Sequence, residues 1–147
     1  MSDDFLGVGP LLVERLVADL PPEVRAATMH DLASVASGQQ AVPAVFVAYD
    51  GYRVVDSSLE ARLAIEQTWL TVVAVRNVRD ALIGDHARSE AGAIAARVIE
   101  SLHRARLPGI KPLRFASAPR PGFSAGYYYL PLAWTVPLTL RSDTCPN

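Results

Sequence analysis

The sequence predicts a single α+β domain, in which a mixed or antiparallel sheet of about four to five strands carries two longer helices and one short helix. Three observations favour this class. Apolar residues recur at helical spacing in 10–20 and again in 89–105. Runs rich in β-branched and aromatic residues lie between these segments, and the run 127–140 has the clearest strand-like alternation in the chain. A chain of 147 residues has room for one domain.

The first predicted helix begins at Pro10, because a proline in the first helical turn gives up no intrahelical hydrogen bond. Pro21 and Pro22 end it. Its expected apolar stripe comprises Leu12, Val13, Leu16, Val17 and Leu20.

A short strand is predicted at 24–27, directly after this helix. Thr28 and Asp31 then have the spacing of a capping box, with Asp in place of the usual Glu. This spacing predicts the short helix, which ends at Gly38.

Two strands in the middle of the chain, 44–49 and 67–78, are apolar on both faces. Strands of this kind belong inside a sheet that is covered on two sides. Asp50-Gly51 is a tight-turn dipeptide, so 52–55 is either a continuation of the first strand or its hairpin partner. The polar stretch 56–62 is predicted to be a loop.

The longest predicted helix covers 89–105, followed by a short strand at 113–116 and a Pro- and Gly-rich loop at 117–126. The buried stripe of the helix is expected to comprise Ala91, Ile94, Ala95, Val98 and Leu102.

The final strand, 127–140, contains two prolines, Pro131 and Pro137, at positions of the same parity. Both missing N–H groups therefore lie along one side of the strand, where a neighbouring strand would lose ladder bonds. We expect this strand at a sheet edge, or next to a bulge, with its proline side unpaired.

Composition predicts a soluble chain without a membrane partner. The lone cysteine, Cys145, cannot form an internal disulfide, which indicates a reducing compartment. The acidic start at 1–4 does not resemble a secretory signal. No run reaches the roughly 18 apolar residues that a membrane-spanning helix needs.

Charge is unevenly distributed although the net charge is only −1. The segment 101–142 contains no Asp or Glu. Its basic residues are His103, Arg104, Arg106, Lys111, Arg114, Arg120 and Arg141. Two interpretations stay open: ordinary solvation of the surface, or a subunit with a basic and an acidic face, suited to head-to-tail contact with its own copies.

Residue patterns that carry chemistry are sparse, and we expect no catalytic, cofactor or metal site. The Gly-Val-Gly at 7–9 follows no strand and lacks the third glycine of a dinucleotide loop, so it is interpreted as a helix entry. The pairs His30–Asp31 and Asp85–His86 are each half of a conceivable acid–base pair. Adjacent residues point in different directions, which favours surface polar residues and a chain that is not an enzyme.

Three consecutive tyrosines open the final strand. Tyr128 belongs to the apolar face, which leaves Tyr127 and Tyr129 as an expected exposed pair. A protein–protein contact is the favoured role for this pair, since Tyr is enriched at interfaces, and base stacking is the less favoured alternative.

The order of these segments resembles one protein family. An amphipathic helix leads into AVFVAYDGY at 44–52, then VAVRN at 73–77, AARVI at 95–99 and the aromatic strand 127–140. This order resembles the tail terminator proteins of siphophages and is similar to the small tail proteins at the matching position in Mu-like phages. The resemblance covers 5–140 and rests on this order rather than on a signature motif.

The resemblance implies a structural protein with no enzymatic activity and no cofactor. Such proteins form a hexameric ring on the last ring of the tail tube, stop tube polymerisation and present a surface for head attachment. The implied partners are further copies of the chain, the major tail tube protein and a head-completion or connector protein, with no specific nucleic acid and no membrane. The implied location is the head-proximal end of the virion tail, with assembly in the host cytoplasm.

The domain is expected to span 1–147, with an ordered core over 5–140 and a flexible tail over 141–147. The candidate interface residues lie in the loop 56–62, in the basic segment 101–142 and in the final strand. Arg104 and Arg106 are expected to meet carboxylates of the next subunit. The candidates are Asp56, Leu59, Glu60, Arg62, Arg104, Arg106, Tyr127 and Tyr129.

Three alternatives remain at this stage. Another small phage part, a head–tail connector or a baseplate component, would share the same composition. A small-ligand-binding or enzymatic domain requires a pocket that gathers His30, Asp31 or Asp85. A nucleic-acid-binding module predicts salt-dependent DNA affinity from 104–120.

Overall fold

The computed structural model describes residues 4–29, 42–56, 62–77, 85–103, 105–124 and 126–141. These residues contain two helices and six strands. The helices are α1 (Val8–Asp19) and α2 (Asp85–Leu102). The strands are β1 (Arg25–Met29), β2 (Ala44–Asp56), β3 (Arg62–Arg76), β4 (Arg114–Ala116), β5 (Gly122–Ser124) and β6 (Tyr127–Arg141). The predicted α+β class is confirmed.

All six strands belong to one open sheet in the order β1-β2-β3-β6-β4, with β5 beside the other end of β6. β1 pairs with β2 in parallel, and every other pair is antiparallel, so the sheet is mixed, as predicted. The strand count exceeds the predicted four to five. The extra strand, β5, lies in the segment predicted as a loop, because three residues are too few to show an alternation.

The sheet is buried on both faces, as its doubly apolar strands predict. Both helices pack on one face, called here the helix face, where Leu12 and Leu16 of α1 meet Trp69, Val73 and the apolar face of β6. A second cluster of buried residues occupies the opposite face. Its members are Ala44, Phe46, Ala48, Leu70, Val72, Ala74, Tyr127, Tyr129 and Ala133.

The boundaries of the first helix differ from the prediction at its start. α1 begins at Val8, so Pro10 is its third residue. A backbone N–H at this position would have no intrahelical partner, so proline, which has no N–H, fits there. Val17 belongs to the predicted apolar stripe but is 63% exposed. The side of α1 that packs on the sheet is narrower than this stripe, and Val17 lies outside it. The interpretation of 7–9 as a helix entry is confirmed.

The predicted short helix began at Thr28, but Thr28 and Met29 belong to β1 and pair with β2. The rest of that helix, 30–38, lies outside the described residues. α2 begins four residues earlier than predicted and ends at Leu102, and its predicted buried stripe is confirmed.

β2 continues through Asp50-Gly51 and does not turn there, which decides between the two open interpretations of 52–55. Tyr49 pairs with Trp69 and Tyr52 pairs with Gln67, so β2 carries one extra residue between these pairs. Gly51 accommodates this bulge with φ of 99°, a conformation that residues with a Cβ rarely adopt. The bulge reverses the parity of β2, so that Tyr49 and Tyr52 both point to the helix face.

The prediction that the last strand lies at a sheet edge is wrong. β3 pairs with β6 along its whole length, and β4 and β5 pair with its other side at 133–135 and 127–129. Pro131 and Pro137 both fall where no described strand pairs with that other side. The two short strands β4 and β5 thus pair with β6 on either side of Pro131 and leave the positions of both prolines unpaired on that side. This arrangement tolerates residues that have no amide hydrogen to donate.

Hydrogen bonds on the helix face hold the indole rings of Trp69 and Trp134 in place. Gln67, fully buried, accepts a hydrogen bond from Trp69 Nε1 at 3.0 Å and donates from Nε2 to the Phe5 carbonyl oxygen at 2.7 Å. Trp134 Nε1 donates to Thr71 Oγ1 at 2.9 Å. The α1 backbone comes so close to Trp69 that a Cβ on Gly9 would lie 2.9 Å from its Cζ3 atom. The N-terminal segment is therefore tied to β3.

Candidate subunit interface

A group of exposed apolar side chains lies at the far end of the β2–β3 hairpin. We call 50–56 of β2 the arm, and we call the exposed group the arm patch. Tyr52 is 57% exposed, Val54 51% and Val55 56%. Phe5 and Leu6, at 37% and 47%, complete the patch from the N-terminal segment. A monomeric surface rarely gathers apolar residues in this way, which makes the patch a candidate contact surface.

The N-terminal part of the patch is held by specific contacts. The ring of Phe5 makes edge contacts with Tyr52, with centroids 5.7 Å apart, and with Tyr49 at 6.2 Å. Asp4 accepts a hydrogen bond from the Leu6 backbone N–H at 2.9 Å. Burial raises the pKa of Tyr49, and the neighbouring Tyr52 raises it further, so the Tyr49 phenol stays neutral at physiological pH. The aromatic part of the patch is therefore held in place within the single subunit, and it carries no charge.

The arm also has an open backbone edge. β1 pairs with 44–48 of β2 only, and within the described ranges the arm pairs with β3 alone. It contains neither proline nor lysine, the residues that commonly protect exposed strand edges. Among the described residues this edge of the arm has no strand partner, and register shifts after Tyr49 and after Val54 interrupt its regularity.

A second exposed group lies at the opposite edge of the sheet. Phe115 of β4 is 48% exposed and Phe123 of β5 is 47% exposed. Phe115 pairs with Trp134 of β6, with ring centroids 4.9 Å apart, and therefore shares the helix face. Phe123 packs on Tyr128 at 4.7 Å, and the Arg88 guanidinium lies 5.8 Å from its ring centroid.

A basic cleft of about 520 Å³ adjoins β4. It is lined by His103, Lys111, Pro112, Leu113, Arg114, Phe115 and Pro137. Lys111 and Arg114 are cationic, Phe115 is half exposed, and none of these lining side chains is a carboxylate. The cleft therefore suits a surface that combines apolar and acidic groups.

The arm has the opposite charge character. Asp50 and Asp56 are exposed at its two ends, and Glu66 lies on the adjacent strand. Its one cation, Arg53, pairs with Glu66 at 3.2 Å. The arm itself therefore carries two carboxylates and one cation, and the adjacent part of β3 adds Glu66 and Arg62, one of each sign. The cleft lining has cations and no carboxylate, so the two edges differ in charge, in agreement with a basic and an acidic face.

The structure places only some of the predicted interface residues. Asp56 is exposed at the end of the arm, and Arg106 is exposed in the segment that leads to the cleft. Arg62 starts β3 and pairs in register with Arg141 of β6. Leu59, Glu60 and Arg104 lie outside the described residues. An interface role for these residues stays a prediction.

The expected exposure of Tyr127 and Tyr129 is wrong. Each is 5% exposed and belongs to the cluster on the second face of the sheet. Their rings lie 6.2 Å apart, and the Arg76 guanidinium lies 5.6 Å from the Tyr127 ring centroid. Alternation assigned the two tyrosines to the correct face, but it does not tell whether that face is covered. Among the described residues, the exposed aromatic side chains are instead Phe5, Tyr52, Phe115 and Phe123.

Tyr129→Phe is expected to raise the free energy of unfolding by up to about 1 kcal/mol, because the buried Tyr129 hydroxyl has no hydrogen-bond partner in the described part of the chain to offset its desolvation. Burial, and secondarily Tyr127, raises the Tyr129 pKa above the ordinary 10.0. The folded state therefore binds this proton more tightly than the unfolded state, and stability falls as pH rises past 10.0. Urea unfolding at neutral and alkaline pH measures both effects.

The matched control for this substitution is Tyr127→Phe, which removes a hydroxyl from the adjacent ring of the same cluster. Tyr127 makes interactions of its own, so no gain is expected there. A loss of stability in Tyr129→Phe would contradict the prediction.

The described residues contain no group of three or more His, Cys, Asp or Glu side chains that could hold a metal ion. Asp85 and His86 are exposed at the start of α2, where Asp85 lies 3.6 Å from Arg88, and His30 and Asp31 lie outside the described residues. Neither described helix has the length and apolar character to cross a membrane.

Comparison with known proteins adds independent findings. Sixteen chains of solved structures match the chain. One of them, from a structure described as "Virion of native gene transfer agent (GTA) particle", is 17% identical, with a TM-score of 0.57 over 94% of this chain and 99% of that one. This likeness shows a shared fold. No curated protein matches.

The family model described as "Phage tail terminator protein" matches residues 1–144, nearly the whole chain. A structural role in the phage tail follows from this match, and the resemblance seen in the order of segments is confirmed. The chain belongs to the phage tail terminator protein family.

Proposed function

We propose that the chain forms a ring, expected to be hexameric, at the head-proximal end of the tail tube. The ring stops further polymerisation of the tube and presents a surface for head attachment. The partners are other copies of the chain, the major tail tube protein and a head-completion or connector protein, and assembly takes place in the host cytoplasm. The family match over 1–144 is the observation that carries this proposal.

The arrangement of exposed surfaces supports ring formation. A two-fold dimer uses one patch that contacts itself, whereas a ring needs two different patches that contact each other. The arm patch and the Phe115 edge are two such patches, on opposite edges of one sheet and of opposite charge character. The described residues also show no arrangement of side chains suited to metal-dependent chemistry.

Deletion of the gene from the source phage or prophage is the direct test. Electron microscopy of the lysates is expected to show overlong tails of irregular length, detached from filled heads, because nothing ends the growth of the tube. Supplying the intact gene from a plasmid should restore normal tails.

Three other outcomes would contradict the proposal. Normal-length tails that lack heads would indicate a head–tail connector, and normal tails joined to heads would indicate neither role. Absent or malformed tail tips with normal length control would favour a baseplate component.

A further inference from the structure

We propose that the arm patch of one subunit docks on the β4 edge and the basic cleft of the next subunit, so that the occupant of the cleft is a second copy of this chain. This inference rests on the proposed ring and specifies the contact that closes it. Three properties of the two surfaces lead to it: their faces, their backbone edges and their charges.

The two surfaces face the same way. Tyr52 pairs with Gln67, and Phe115 pairs with Trp134, so both aromatic side chains stand on the helix face of the sheet. A neighbouring sheet that continues the first without being turned over therefore brings Tyr52 and Val54 alongside Phe115. The bulge at Gly51 is what gives Tyr52 and Val54 this direction.

The backbone edges also match. The arm presents an unpaired edge on one side of the sheet, and the outer side of β4 has no partner strand among the described residues. Strand addition between such edges is a common form of recognition, in which main-chain hydrogen bonds supply affinity and side-chain contacts supply specificity. The arm has seven residues and β4 has three, so the contact combines a short ladder with the apolar patch beside it.

Charge selects this pairing over a contact between like edges. Asp50 of the arm would approach Lys111 and Arg114 of the next subunit, whereas two arms would bring carboxylates together. The arm cannot reach its own cleft, because β2 and β4 are separated by β3 and β6, a width of roughly 14 Å for three strand spacings. The complementary surfaces can meet only between copies.

Cysteine cross-linking in assembled tails tests the contact. In a Cys145→Ser background, a chain with Val54→Cys and Phe115→Cys replaces the deleted gene, and the tails are treated with a short bismaleimide. We expect a ladder of covalent oligomers up to the subunit number of the ring. Each single variant alone should stay monomeric, and a mixture of the two single variants should stop at dimers.

A second test pair is Tyr52→Cys with Lys111→Cys, both at exposed positions. This pair replaces the first if Phe115→Cys destabilises the fold. The control pair is Val17→Cys with Phe115→Cys, because Val17 is exposed on α1 outside both patches, and no ladder is expected from it.

Normal-length tails without a ladder from either test pair would overturn this inference and leave the terminator function standing. Dimers from Val54→Cys alone would also overturn it, since they would show arm-to-arm contact. Failure of the terminator function itself is read separately, from the tail lengths of the deletion strain.

Discussion

A chain that carries Val54→Asp is expected to fold normally and to lose control of tail length. Val54 is half exposed in the arm patch, so a carboxylate there stays hydrated in the free subunit. Docking on the next subunit would bury that charge against Phe115. We expect each contact to weaken roughly tenfold to a hundredfold, a cost that recurs at every contact of the ring.

Complementation of the deletion strain followed by electron microscopy measures this effect, with thermal unfolding of the purified chain as the test of folding. Val17→Asp is the matched control, because it places the same charge at a more exposed valine outside the patch. Normal tails from Val54→Asp, or a lowered unfolding temperature in that variant alone, would contradict an interface role for the arm patch.

Gln67→Leu is expected to lower the free energy of unfolding by about 2–4 kcal/mol. The substitution keeps most of the side-chain volume but leaves the Trp69 N–H and the Phe5 carbonyl without their partner. Each buried polar group that loses its partner costs about 1–3 kcal/mol. Phe5 would also lose its tie to β3, so the arm patch should become less ordered.

Urea unfolding of the purified chain measures this loss. Arg53→Gln is the control on the same hairpin, since it removes an exposed ion pair with Glu66 that is worth about 0–1 kcal/mol. Equal effects from the two variants would mean that the buried amide has no special role.

The sequence by itself determined the elements whose residues repeat with a clear period. The stripe of α2 is buried as its spacing of three and four residues predicts. The doubly apolar pattern of 44–49 and 67–78 correctly indicated strands buried on both faces, although the second strand ends at Arg76. The family, too, was recognisable from the order of these segments.

Tertiary structure decided which faces and edges are covered. Alternation placed Tyr127 and Tyr129 on the correct side of β6, but their burial depends on what packs against that side. The position of β6 inside the sheet depends on β4 and β5, two strands of three residues each, which are too short to show a period.

The candidate interface is the clearest case of this division. Val54, which is exposed, and Val47, which is fully buried, are the same residue type in one strand, and the charged residues Arg53 and Asp56 near Val54 are the local difference. The difference in exposure arises because side chains of both helices pack over the helix-face cluster that contains Val47, whereas Val54, on the same face after the Gly51 bulge, lies outside that cluster. Exposure is a property of the assembled chain, and a repeat along the sequence reports only the direction of a side chain.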